Sequence, residues 1–139
     1  MEQTNWAYTS YPPSILLVAD SVRHAGKLKQ KLVGHGCQVY QADISSDEVA
    51  KARQKYFELI VFDIKRLDAN SREVCRRIKT DPELADIPMV ILTAFNLTHE
   101  AFKLLNVGTP ASYLVRDNST EEKLTRIIEQ THYMTYRYM

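Results

Sequence analysis

Only two cysteines occur in the 139 residues, Cys37 and Cys75, and they stand in neither a C-x-x-C pair nor a zinc-ligand spacing. No redox motif or zinc site is expected, and a reducing cytoplasm fits best. The longest apolar runs, "SILLVA" and "MVILTA", fall far short of the roughly 20 residues that span a bilayer. No apolar run follows basic residues at the N-terminus, so the chain also lacks the pattern of a signal peptide. Charge of one sign is lacking as well: the formal net charge is +1, which gives no global reason to bind nucleic acid or an acidic membrane. Glycine-rich phosphate loops are missing, as are internal repeats and low-complexity segments; no G-x-G-x-x-G or G-x-x-x-x-G-K occurs.

What remains is material for one core. With 45% hydrophobic and 25% charged residues in 16.0 kDa, a single domain is expected. Four apolar runs rich in β-branched residues read as buried strands: 15–19 "ILLVA", 59–62 "LIVF", 89–92 "MVIL" and 112–115 "SYLV". A fifth, 37–42 "CQVYQA", alternates like an edge strand. Helical spacing follows each one. It is carried by Val22, Ala25, Leu28 and Leu32; by Val49, Ala52 and Tyr56; by Val74 and Ile78; by Ala101, Leu104 and Leu105; and by Leu124, Ile127 and Ile128. Ser45 with Glu48, Asn70 with Glu73 and Ser119 with Glu122 have the spacing of helix-start caps. Gly34 and Gly36 close the first helix, and Gly108 the fourth.

Strand and helix alternate five times, which predicts a doubly wound α/β fold: a five-stranded parallel sheet with five helices on its two faces. Residues 1–13, with a double proline, read as a flexible lead-in to a domain over 14–130. The aromatic tail 131–139, "THYMTYRYM", either frays or prolongs the last helix into a surface for a partner or a second copy.

In such a sheet, ligands bind outside the carboxyl ends of the strands. There the sequence places Asp20 after the first strand, Asp63 after the third, Thr93 and Ala94 after the fourth, and Arg116 and Asp117 after the fifth. Two carboxylates at short range repel unless a cation joins them, and an oxygen-rich, open pocket suits magnesium, which keeps several waters. One acid could then attack a phosphoryl group while the hydroxyl and the cations absorb charge; Asp63 is the natural nucleophile.

Over roughly residues 14–130 the sequence resembles the receiver domain of two-component response regulators. "ILLVAD", "ELIVFDI", "EVCRRIKTDPELADIPMVILTA" and "GTPASYLVRD" carry the resemblance. It implies a flavodoxin-like sheet of order 2-1-3-4-5 and a signalling module, not an enzyme. It also implies phosphate transfer from a histidine kinase or phosphotransfer protein to Asp63, read by a downstream protein. Thr93 matches the hydroxyl residue that turns toward the phosphate, and Tyr113 the aromatic residue that switches rotamer with it. Asp20, Asp63 and the backbone carbonyl of Lys65 match the magnesium ligands.

The match breaks at two corners. The paired acids after the first strand are here Ala19 and Asp20; losing a charge-assisted hydrogen bond worth about 1.5–3 kcal/mol should weaken metal binding by about one to two orders of magnitude. The lysine and proline after the fifth strand are Arg116 and Asp117. Without proline a cis peptide costs about 2.5–4 kcal/mol, so a trans bond is expected, with Arg116 pointing elsewhere and the Lys65 ammonium partly replacing it. Leu67 and Ser71 also replace the usual proline and glycine. The leading reading is a degenerate receiver, an interaction switch with weak or no phosphorylation at Asp63; an ordinary phospho-accepting receiver is the alternative. A nucleotide or flavin enzyme, with Asp43 at the ribose, is remote because "ADSVRHAG" lacks the pyrophosphate turn. His24, His35, His99 and His132 read as surface residues, and Arg72, Arg76, Arg77 and Lys79 as a solvated helix face.

Overall fold

A computed structural model describes residues 12–20, 22–65, 68–93, 103 and 112–137. Five parallel strands form one sheet: β1 (Ser14–Ala19), β2 (Gln38–Asp43), β3 (Leu59–Ile64), β4 (Met89–Thr93) and β5 (Ser112–Val115), in the order β2-β1-β3-β4-β5. The described helices are α1 (Val22–Gly34), α2 (Ser46–Ala52), α3 (Ala69–Thr80) and α4 (Thr120–Arg137). The helix expected around Ala101 to Leu105, with Gly108 after it, lies outside the described residues.

Alternation along the strands explains the layers. Leu16, Val18, Ile60, Phe62, Ile64 and Ile91 pack with Val49 of α2 and with Val74 and Ile78 of α3. The intervening residues Ile15, Leu17, Leu59, Val61, Val90 and Leu92 pack with Ala25, Leu28 and Leu32 of α1 and with Leu124 and Ile128 of α4. Because β1, β3 and β4 are covered on both faces, they read as continuous apolar runs, whereas β2 at the edge does not. Asp63 shares the parity of Leu59 and Val61, which sends its side chain toward the α1 and α4 face.

Several local expectations change. Helix α2 begins as expected, with Ser45 Oγ accepting from Glu48 N at 3.2 Å, but it ends at Ala52; Tyr56 lies beyond it and is 67% exposed. Helix α3 is capped by Asp68, whose carboxylate accepts from Ser71 N at 2.9 Å, and not by Asn70, which is spent donating to the Ile44 carbonyl at 3.0 Å. Ser119 does precede α4, yet its hydroxyl donates to Asp117 Oδ1 at 2.7 Å. Of the two glycines closing α1, Gly34 is its last residue and only Gly36 is left-handed, at φ 94°.

Burial corrects two surface assignments. Lys79 turns inward on α3, and burial pulls its ammonium below the usual lysine range, while Arg76 and Arg77 stay exposed and both bind Glu73, at 2.8 and 2.9 Å. His132 is buried, not superficial: its Nδ1 lies 2.6 Å from Glu58 Oε2, and the side chains are 3% and 2% exposed. Glu58 Oε1 has no hydrogen-bond partner among the described residues. The pair ties α4 to the start of β3, and α4 runs unbroken across residue 131 to Arg137. His35 is half-buried and bonds Glu121 at 3.2 Å, so it too is no free surface residue. His24 and His99 lie outside the described side chains.

Removing one member of a buried pair leaves a stranded polar or charged group, at a cost of about 3–5 kcal/mol. Truncation after Gln130 should therefore lower the urea midpoint sharply, while truncation after Tyr133, which keeps His132, should not. Equal midpoints for the two truncations would show that the pair contributes nothing to stability. Burial pushes the Cys37 thiol up to about 12 and the Cys75 thiol to about 11. Both should resist iodoacetamide at pH 8 in the native protein and react in urea, read by intact mass.

Candidate functional site

The carboxyl ends of the strands bring the expected acids together. Ala19 is in register with Asp63, so the next residue, Asp20, leaves the sheet beside it, and Asp20 N approaches the Asp63 carbonyl at 3.4 Å. Asp20 is exposed, and its Oδ2 accepts from the Lys65 backbone N–H at 2.8 Å, a bond that turns the carboxylate toward the end of β3. Asp63 itself is 2% exposed. It sits within β3, one residue before the strand's end.

A carboxylate so buried needs a counter-charge, and Arg116 provides it: Nη2 donates to Asp63 Oδ2 in a short, charge-assisted contact. This corrects the expectation that Arg116 would point elsewhere. No cis peptide occurs among the described residues, yet the guanidinium reaches the acid. Its backbone is fixed by Arg116 N donating to the Thr93 carbonyl at 2.7 Å, and the long side chain spans the remaining distance. Thr93 ends β4 and is fully buried. Tyr113 is in register with Ile91 in β5; its side chain lies outside the described residues, as do Ala94 and Leu67. The side chain of Lys65 is exposed, and the cation found on Asp63 is Arg116.

Asp117 faces away from this cluster. Its carboxylate accepts from the Ser119 hydroxyl and backbone N–H, each at 2.7 Å, and Lys123 lies 3.5 Å away; these contacts hold it below the usual carboxylate range. On the flank, Lys31 and His35 reach Glu121 at 3.0 and 3.2 Å and depress it likewise. Sequence reasoning missed this α1 to α4 clamp, although Lys27 and Lys31, four apart on one helix face, signal it.

The donors suit magnesium in kind. Asp20, Asp63 and the Lys65 carbonyl would offer oxygens to a hard cation that accepts one or two carboxylates and keeps its waters. No group of three or more His, Cys, Asp and Glu side chains able to hold a metal occurs among the described residues. That is in keeping with two carboxylates, of which Asp63 already lends one oxygen to a guanidinium.

No family model matches the chain. Curated relatives do. It is 37% identical over 79 residues to protein PilH of Pseudomonas aeruginosa, covering 57% of this chain and 65% of that protein. It is 30% identical over 113 residues to response regulator ArlR of Staphylococcus aureus, covering 81% of this chain and 50% of ArlR. To the transcriptional regulatory protein ZraR of Klebsiella oxytoca it is 32% identical over 103 residues, covering 73% of this chain and 22% of that protein. The chain thus spans less than two thirds of these relatives' lengths.

Two solved structures share the fold. Chemotaxis protein CheY4 of Vibrio cholerae superposes with a TM-score of 0.71 at 20% identity, over 87% of this chain and 99% of that one. The receiver domain of sensor histidine kinase PA1611 from Pseudomonas aeruginosa, which has a magnesium ion coordinated in its active-site cleft, gives 0.69 at 23%, over 86% and 97%. With the sheet order, the acids at the strand ends and these relatives all in agreement, the chain belongs to the response regulator receiver domains of two-component signalling.

Proposed function

We propose that this domain is a receiver with a weakened phosphoryl-accepting pocket, working as a protein-interaction switch with slow or no phosphorylation at Asp63. The observation that carries the reading is the Arg116 guanidinium seated on Asp63, beside a position, Ala19, that offers no second acid.

In the transfer an Asp63 oxygen would form a bond to phosphorus as the bond from phosphorus to the donor's histidine nitrogen breaks, the electron pair returning to that nitrogen. Asp63 becomes an acyl phosphate. An oxygen already accepting from a guanidinium is a poorer nucleophile, so Arg116 must first leave the attacking oxygen and pass to the phosphoryl oxygens. Thr93 would donate its hydroxyl to one of those oxygens, and Tyr113 would follow it. Asp20, oriented by the Lys65 N–H, would hold magnesium together with Asp63 and the Lys65 carbonyl. Bound magnesium would supply charge neutralisation on the transferring group. With Ala19 contributing no charge, its affinity falls by about one to two orders of magnitude.

The donor in this reading is a histidine kinase or a phosphotransfer protein, and the output is contact with a downstream protein in the cytoplasm. The C-terminal turns of α4, with Tyr133 60% exposed, are the proposed surface for that protein or for a second copy. Neither a membrane nor nucleic acid is required. No described helix is long and apolar enough to cross a membrane.

Incubation with acetyl phosphate and magnesium, read by intact mass, should label the wild type slowly or not at all. Ala19→Asp should tighten magnesium about tenfold or more. Arg116→Lys with Asp117→Pro should restore a point cation. Combining all three changes should speed labelling beyond what the separate changes predict, because metal and cation act on one phosphoryl group. Asp63→Asn should abolish whatever label there is. A wild type that labels as fast as the restored variant would make this an ordinary receiver.

A further inference from the structure

A groove of about 290 Å³ opens between α1 and the start of α4, and Arg116 forms part of its wall. The same residue therefore borders two spaces, this groove and the Asp63 pocket. The volume is at the lower end of the 300–1,000 Å³ usual for ligand sites, which limits an occupant to a small molecule.

The charges lining the groove sort themselves by partner. Glu121 is taken by Lys31 and His35, and Asp117 by Ser119 and Lys123. Both acids are thereby neutralised from outside or across the wall. Lys27 is exposed and makes no ion pair among the described residues, and Arg116 is 24% exposed with its Nη2 on Asp63. The uncommitted capacity facing the space is thus cationic: the Lys27 ammonium, and the guanidinium donors that Asp63 does not use.

We infer that this groove is a vestibule for a small phosphorylated anion, held between Lys27 and Arg116, and that its occupant competes with Asp63 for the Arg116 guanidinium. A tetrahedral oxyanion suits a planar five-donor fork opposite a point cation. The remaining volume admits a carbon fragment of a few atoms, as in an acyl phosphate or a small phosphate monoester. Coupling is reciprocal: an anion that draws Arg116 away frees the Asp63 oxygen, and an Asp63 that holds Arg116 weakens the anion. The consequence for phosphorylation rests on the receiver reading, whereas the binding does not.

Amide shifts of the nitrogen-labelled protein, titrated with inorganic phosphate and then with acetyl phosphate in magnesium-free buffer, test it without any transfer to Asp63. Saturable shifts are expected at Asn118 and Thr120, and Lys27→Glu should weaken binding at least tenfold, with Lys27→Gln in between. Asp63→Asn, which releases Arg116, should tighten phosphate severalfold. The inference is overturned if Asp63→Asn leaves the affinity unchanged, or if equal ionic strength of sodium chloride gives the same shifts. It is also overturned if Lys27→Glu is silent while the shifts centre on Asp20 and Lys65, placing the anion in the acidic pocket. Failure of the receiver reading would look different: no label at Asp63 in the restored variant with magnesium, and the phosphate titration untouched.

Discussion

A carboxylate inside a parallel sheet cannot stay charged without a cation at hand, and β3 holds Asp63 at 2% exposure with Glu58 just before its first residue at 3%. Desolvation of either acid is compensated locally. Arg116 meets Asp63 at the carboxyl end of the strand, and His132 meets Glu58 at the other end. Both partners come from the last stretch of chain, the turn after β5 and the body of α4. The final helix is therefore held to the central strand at both ends by polar contacts as well as by Leu124 and Ile128 against the sheet.

That double attachment bears on how the site could move. If Arg116 leaves Asp63, the turn at Arg116 to Thr120 is freed from one end of β3, while His132 still holds α4 at the far end. Motion is thereby directed to the N-terminal turn of α4 and the α1 flank, where Lys31, His35 and Glu121 form the neighbouring contacts. These ion pairs are half-exposed and so individually weak, of order 0–1 kcal/mol, which makes them easy to rearrange. The buried pair at the opposite pole is not.

The sheet and the acids were legible in the sequence because they follow from short-range rules. A period of two sorts Leu16, Val18, Ile60 and Phe62 from Ile15, Leu17, Leu59 and Val61, and ligand-bearing residues can only appear where those runs end. Caps were legible to within a residue or two: Asp68 and Asn70 are both good cap formers, and the choice was made by the Ile44 carbonyl that occupies Asn70. The His132 to Glu58 pair was not legible, since it joins positions 74 apart and nothing local marks either residue as buried. Arg116 was misjudged for a related reason. Peptide geometry governs where the backbone turns, but the side chain follows the buried charge it neutralises.

The two altered corners then have a common physical sense. Replacing an acid by Ala19 removes a negative charge next to Asp20, and Arg116 in place of a lysine adds a fork able to grip a carboxylate. Asp20, Asp63 and Arg116 together carry a formal charge of −1. With a second acid at position 19 the sum would be −2, and a divalent cation would be in correspondingly greater demand. On the proposed reading, Ala19 lowers the pull on magnesium while Arg116 raises what magnesium must displace, so both changes shift the pocket toward a self-neutralised resting state. An isolated Ala19 would leave Asp63 still seeking a cation, and an isolated Arg116 would face repulsion between two adjacent acids that only metal relieves. Each substitution makes the other tolerable, which is the pattern expected of a site adjusted to rest without metal rather than of one losing its ligands independently.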